Sequence, residues 1–420
     1  MNQYWTSHLH FILAISGAAI GLGTVWAAPF TIGSHGGGIC LFLYILLTIL
    51  IGLPILHIEI LMGYRSQKNI IQGIEQLRSA SSLSPHWNHL GHFSVVLLFF
   101  ILSFYVIVGG QVTWQIFAHL LQPLNLKTTL HHQHQEYFCS LFFSFLTFWV
   151  SKSSLKSGIE RCVKFLMPTL FICLIFILLG LRDLDGFNQA LAYLFYIDFS
   201  ALNRDSFSAA MGLSFFTLAT GAGCMMNYGA YLSNKHSLLL VNFISSLMVI
   251  VGVCLSGLIV FTMTFNQHLP PETGPNLVFI TIPLALNQFA PYEHWANIIF
   301  FLLLLSAAIT SSISLLDPLM RIAHEKFNIK KSKSGMYTLL ILCITSTLYI
   351  YFDSSLLERV SKIIMEYLLP MSALGYVLFS KSTKLLSFYP ENHHLINHTL
   401  SLSIRYLCPL ALIFLLGSHL

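Results

Sequence analysis

Residues 17–30 read GAAIGLGTVWAAPF, with three glycines and a proline inside the first long apolar stretch of the chain. Gly17, Gly21 and Gly23 bring no side chain to support a helix, and Pro29 removes a backbone donor near the outer half of the stretch. In hydrocarbon every backbone N–H and C=O must find an internal partner, so a loosened helix survives there only when buried in protein or lining a cavity. Glycines in membrane helices also serve as close-packing points between helices. On this stretch alone both readings stand.

The membrane setting follows from composition. Of the 420 residues 55% are hydrophobic and only 9% charged, and the mean hydropathy is +0.74, far from that of a water-soluble domain. A hydrocarbon core of about 30 Å takes roughly 20 apolar residues per helix, and about eleven such stretches recur. Their centres lie near Gly21, Ile49, Leu102, Phe145, Phe171, Thr217, Ile250, Leu305, Leu342, Ala373 and Ala411. The loops between them are too short for a soluble domain, so residues 1–420 read as one transmembrane domain.

With the amino terminus in the cytoplasm, only Lys127, Arg182, Arg204, Arg359 and Lys362 of the 21 Lys and Arg fall outside. That asymmetry obeys the positive-inside rule with an odd number of spans and puts the carboxyl terminus outside. The opening MNQYWTSHLH is uncharged, and the apolar stretch after it is too long for a signal-peptide core, so it reads as helix 1. The net charge of +5 lies mostly on cytoplasmic loops, which makes it a topology signal and not a nucleic-acid surface. The eight cysteines sit in apolar contexts with no CxxC spacing and read as small buried hydrophobes. The run HHQHQ at 131–135 reads as solvated external loop, and His8, His10 and His57 as polar tips near helix ends.

A second stretch, SFFTLATGAGCMMNYGAY at 214–231, places Thr217, Thr220, Gly221 and Gly223 inside the sixth apolar segment. Interrupted segments in corresponding positions of two groups of five point to a transporter built from inverted repeats. Repeat one then covers about 8–181, repeat two about 206–380, and an extra helix about 401–420. The breaks would free carbonyls for cations and amides for an anionic substrate. A third stretch, SAAITSSISLLDP at 306–318, puts the hydroxyls of Thr310, Ser311 and Ser312 at the centre of a helix. There they bond back to the preceding turn or coordinate something. A set of neutral oxygens suits a hard cation such as Na⁺.

At these residues the sequence resembles the neurotransmitter:sodium symporter family, the group with the LeuT-type fold, from Trp5 to about Pro370. The matching stretches also include GGGICLFLY, GLPILHIEILMG, SFYVIVGG, GIERCVKFLMPTLF and GPNLVFITIP, in family order. The resemblance implies an all-α integral membrane protein of about eleven helices, a 5+5 inverted repeat with helices 1 and 6 unwound. It implies sodium-coupled amino-acid uptake, with Na⁺ as the only cofactor and no catalysis.

By position, one sodium site would take carbonyls of Gly17, Ile20 and Ala307 and hydroxyls of Thr310 and Ser311. The substrate site would take Ala19, Leu22 and Gly23, then Ile101 and Tyr105, then Phe216, Thr217, Ala219 and Ala222, with Ser311 and Leu315. The family tyrosine matching Tyr105 donates to the substrate carboxylate, and the phenylalanine matching Phe216 closes over the substrate. Monoamine-carrying members have an aspartate where Gly21 stands, so glycine implies a substrate bearing its own carboxylate. With Ala219 and Ala222 small and Ile101, Phe216 and Leu315 apolar, the expected substrate is a neutral hydrophobic or aromatic amino acid.

Other family positions differ. The asparagines of a second sodium site match Thr24 and, by spacing back from Gly252, Ile244, with Asn242 as an alternative. That leaves a weak or lost site at Ala19, Thr24 and Thr217, and coupling to one Na⁺. Of the chloride ligands Tyr44 is kept, but the others match Leu213 and Met248, implying chloride independence. The outer gate reads Ala27 and Val360 or Ser361. The inner gate keeps an acid, Glu325, but its arginine partner matches Asn2. Among intramembrane acids, Glu59 reads as structural, Asp317 as a partner for backbone freed near Pro318, and Glu366 as a candidate for proton coupling. Proton-coupled symport and a non-transporting amino-acid sensor are the rival functions. By the resemblance, about eleven helices suit a prokaryotic inner membrane.

Overall fold

A computed structural model describes residues 4–122, 132–233, 238–271, 293–351, 356–383 and 399–418, with positions 279, 283, 286 and 385 between them. Every regular element among them is helical. In chain order these are α1 (His8–Ala19), α2 (Gly23–Ser34), α3 (Gly38–Ser66), α4 (Ile70–Ala80) and α5 (Pro85–Leu121). Next come α6 (His132–Ser151), α7 (Lys156–Gly180), α8 (Asp185–Phe195), α9 (Arg204–Thr217) and α10 (Cys224–Gly229). The last five are α11 (Leu238–Asn266), α12 (Glu293–Phe327), α13 (Lys331–Tyr351), α14 (Arg359–Ser382) and α15 (Thr399–Gly417).

Among the described residues eight helices are long and apolar enough to cross a bilayer, and α1 with α2, bent by 52°, makes up to nine. Three of the eleven apolar stretches are therefore not among the eight, each for a visible reason. The one around Gly21 bends, and the one around Thr217 divides into 14 residues of α9 and 6 of α10. The one around Phe145 belongs to α6, whose first turn is the polar HQHQE.

The broken segments sit at the centre. α1 packs against α7, α11 and α12, while α3 lies along both α9 and α10. Large apolar side chains point outward instead on α7 (Phe165, Ile172, Phe176, Leu179) and on α15 (Leu402, Leu410, Ile413, Phe414). That is the pattern of lipid-facing helices around a polar-threaded core. All eight cysteines are free thiols. His57 corrects the sequence reading: it is buried inside the bundle, not a polar tip at its edge, and its Nδ1 faces the Asn242 amide nitrogen at 2.8 Å. His131 lies outside the described residues.

The turn between α9 and α10 depends on left-handed backbone. Gly221 has φ +88°, and a Cβ built on it would lie 2.7 Å from the Leu369 carbonyl oxygen. Its N–H donates to Glu59 Oε1 at 2.5 Å. Gly221→Ala should therefore cost about 1–3 kcal/mol in strain. The expected result is an apparent Tm in detergent several degrees below wild type, and an unchanged Tm would refute this account of the turn.

Candidate functional site

The first break begins where Ile20 leaves the helix at φ −84°, ψ 79°. The chain resumes in a wide turn over Gly23–Ala27 before continuing as helix to Ser34. The second break runs from Leu218 to Gly223, with positive φ at Ala219, Gly221 and Gly223. Buried Glu59 on α3 takes the Gly221 amide and also faces the backbone amides of Gly223 and Met225, so one carboxylate caps the start of α10. Its other oxygen, Oε2, is buried with no hydrogen-bond partner among the described residues.

Between the two breaks lies a cavity of about 20 Å³, room for about one water. Ile101, Tyr105, Phe216, Ala219, Ala222, Ser311 and Leu315, all expected at the substrate site, line it together. Ala19, Leu22, Gly23 and Thr217 do not line it and act from behind. The Ala19 carbonyl accepts from Thr24 Oγ1 at 3.2 Å. Gly23 leaves room for Phe216, since a Cβ there would lie 2.8 Å from the Phe216 ring. Thr217 bonds to Tyr44 Oη at 3.0 Å and to the Leu213 carbonyl at 2.9 Å.

Ala18, Cys224, Ser314 and Leu369 complete the lining and were not expected. Ser314 lies one turn after Ser311 on the same face of α12, a spacing that could have flagged it. Leu369 arrives from α14, which nothing in the sequence ties to this site. The polar corner is formed by Tyr105, whose hydroxyl faces the Gly23 amide and the Ser311 hydroxyl. The Phe216 ring stands 6.3 Å from that of Tyr105, centroid to centroid. A side chain at Gly21 would run into Ser311 Oγ and come within 3.3 Å of the Tyr105 hydroxyl.

The residues expected to hold Na⁺ adjoin this corner. Ser311 Oγ crosses to α1, donating to the Ala18 carbonyl at 3.0 Å and reaching that of Gly17 at 3.4 Å. Thr310 Oγ1 bonds back within α12, to Ala307 O at 3.0 Å and Ser306 O at 3.2 Å. Gly17, Ile20, Ala307, Thr310 and Ser311 are all buried. The donor set fits a hard cation, since either hydroxyl can rotate its proton away and offer a lone pair beside the carbonyls.

Around Thr24 the spacing argument needs correction. Ile244 is only half buried, and the α11 residue facing Thr24 is Gly252, where a Cβ would lie 3.2 Å from Thr24 Cγ2. One turn on, Ser256 Oγ donates to the Thr24 carbonyl at 2.8 Å. The register of α11 could not be fixed from a run of Ile, Val and Ser without landmarks. Asn242 is engaged by His57, and Met248 Sδ accepts from Ser16 Oγ of α1 at 3.3 Å.

Ala27 is buried and Val360 half buried, while Asn2 and most of GPNLVFITIP lie outside the described residues. The acids are paired: Asp317 with Lys331 Nζ at 2.6 Å, Glu325 with Arg321 Nε at 2.8 Å, and Glu366 with Lys362 at 3.9 Å.

Two interrupted helices meeting at a buried site of backbone and hydroxyl oxygens define a secondary membrane transporter. The profile of the sodium:neurotransmitter symporter family matches residues 2–143 and 137–386. The chain belongs to that family and is a sodium-dependent transporter. It is 29% identical over 354 residues to an uncharacterized sodium-dependent transporter of Haemophilus influenzae, covering 80% of this chain and 77% of the relative. It is 31% identical over 323 residues to the sodium-dependent transporter YhdH of Bacillus subtilis, covering 74% and 70%. The fold matches the crystal structure of MhsT in complex with L-phenylalanine at a TM-score of 0.90, with 26% identity and 100% of both chains covered.

The contact between Gly21 and Ser311 predicts the effect of a side chain there. Gly21→Ala should lower Na⁺-dependent substrate binding to purified protein by about tenfold or more, because Ser311 must move. Binding at wild-type affinity would show that α1 and α12 can separate at this point without consequence.

Proposed function

We propose that the protein imports a neutral amino acid with a hydrophobic or aromatic side chain, together with one Na⁺, by alternating access. The observation that carries this reading is the position of Ser311. Its hydroxyl lies against α1 carbonyls on one side and on the wall of the central cavity on the other. A cation held by Gly17, Ile20, Ala307, Thr310 and Ser311 would thus fix the same wall that a substrate touches. Tyr105 would donate to the substrate carboxylate, and Phe216 would cover it. Ile101, Ala219, Ala222 and Leu315 would surround the side chain with apolar surface and no opposing charge. The complex of MhsT with L-phenylalanine supports this substrate class.

Single-ion coupling is supported by the surroundings of Thr24, which meets Gly252 and Ser256 rather than a carboxamide. Chloride independence is supported by Tyr44, whose hydroxyl is bonded to Thr217, and by Leu213, which offers no anion donor. The proposed architecture is eleven crossings in two inverted repeats of five plus a last helix, amino terminus in the cytoplasm and carboxyl terminus outside, in a prokaryotic inner membrane. The cavity in this conformation is too small for an amino-acid side chain, so the walls must part during the cycle.

Proteoliposomes under an imposed Na⁺ gradient test the proposal, with neutral amino acids screened in parallel. Accumulation should have a Na⁺ Hill coefficient of about 1, persist when gluconate replaces chloride, and vanish in Thr310→Ala/Ser311→Ala. Accumulation driven by a proton gradient alone would reject sodium coupling at this site. Binding with no accumulation under either gradient would make the protein a sensor.

A further inference from the structure

A cluster of four charged side chains lies away from the cavity, where the residues preceding α1 meet the ends of α3, α10 and α12. Arg321 on α12 pairs with Glu325 one turn along. It also reaches the Gln67 carbonyl at 3.3 Å and Asn227 Oδ1 at 3.4 Å, and its guanidinium lies 4.8 Å from the centre of the Tyr231 ring. The other Glu325 oxygen accepts from Asn69 Nδ2 at 2.5 Å. Asp317 accepts from Lys331 Nζ, from Asn227 Nδ2 at 2.8 Å and from Tyr231 Oη at 3.1 Å.

Two features stand out. Asn227 and Tyr231, on and just after α10, each contact one acid and one base: both bond Asp317 and both meet Arg321. The set of Asp317, Glu325, Arg321 and Lys331 is also neutral, and the one fully buried charge in it, Asp317, is met by Lys331. Of the described residues ahead of α1, Trp5 joins through its backbone N–H and indole N–H, which donate at 3.0 Å to the Tyr231 and Tyr228 carbonyls, and Tyr4 through its hydroxyl, which donates to Gln67 Oε1 at 3.2 Å. Residues 4–10 contain no lysine or arginine.

We propose that Arg321 is the positioning residue that closes this end of the transport path. The proposal rests on the alternating-access reading above. With the cation on α12, the closing force acts between α12 and the α10 segment, and α1 leaves without carrying a charge out of the cluster. Lysine is a poor substitute, because only a planar guanidinium can pair with Glu325, reach two further oxygens and lie over Tyr231 together.

Hydrogen exchange read by mass spectrometry on the purified full-length protein, with and without Na⁺, tests the proposal beside Na⁺-driven uptake in proteoliposomes. In wild type Na⁺ should slow exchange in α1 and α10. Arg321→Ala should raise exchange in residues 4–20 and 224–233 about tenfold in Na⁺ while α5 and α11 stay protected, and uptake should fall by a similar factor. Arg321→Lys should recover only part of both, and Asn2→Ala should behave as wild type. Tyr231→Leu removes the stacking surface without stranding a charge, and it should shift the same two segments by a smaller factor. Wild-type exchange in both Arg321→Ala and Tyr231→Leu, equal loss of protection in α5, or a defect in Asn2→Ala as large as in Arg321→Ala would overturn the proposal. Absence of any Na⁺ effect on wild-type exchange and uptake would instead sink the alternating-access reading on which it stands.

Discussion

Backbone released inside hydrocarbon must be paired by something other than a helix, and the centre of this protein is organised by that requirement. Glu59 answers it for the second break, taking the Gly221 amide and facing two more. Around the first break the partners are hydroxyls: Ser311 on the Ala18 carbonyl, Thr24 on that of Ala19 and Ser256 on that of Thr24. These polar side chains come from α3, α12, α11 and the broken segment itself. The two breaks are thus held by a surrounding frame of three continuous helices. That division, irregular backbone inside and continuous helices outside, permits a site of carbonyls and amides at mid-membrane depth.

The same packing makes the glycines specific. Gly21 faces Ser311 so closely that no side chain fits, and Gly23 faces the Phe216 ring. The absence of an aspartate at position 21 is therefore more than a missing charge, since the space it would need is already taken by α12. A substrate meeting this corner would find the Tyr105 hydroxyl and a backbone amide, both able to donate to a carboxylate.

Much of the fold was legible because its signals are periodic or punctuating: long apolar stretches, and glycines with hydroxyl residues where those stretches fail. The family and the all-helical architecture follow from them. Ile101, Tyr105, Phe216, Ala219, Ala222, Ser311 and Leu315 could be named together because motifs fix their register, and they line one cavity. Leu369 was invisible because α14 meets the breaks only through tertiary packing. Ile244 was misplaced because α11 has no landmark, and a slip of two turns moves a residue from the core to the edge. Arg321 escaped notice for a different reason: an i,i+4 pair with Glu325 reads as ordinary surface charge until folding brings Asn227, Tyr231 and Gln67 around it.

Magnitudes explain how such a frame can also move. A hydrogen bond between membrane helices is worth about 0.6 kcal/mol on average, so the Ser311 bonds to Ala18 and Gly17 hold α1 only weakly. The apolar surface of α1 cannot hold it much better, because lipid is as good a solvent for it as protein. Near balance, an ion that binds one arrangement and not the other decides the population, and its leverage equals its differential affinity for the two. In the proposed sodium site, Gly17, Ile20, Ala307, Thr310 and Ser311 would supply such differential affinity only while α1 lies on α12, since the oxygens come from both. Tight, charge-rich contacts between α1 and α12 would have fixed the pair whether or not an ion was bound. A weak hydroxyl seam at the site, with the charges on α12 and α13, would leave the decision to the cation.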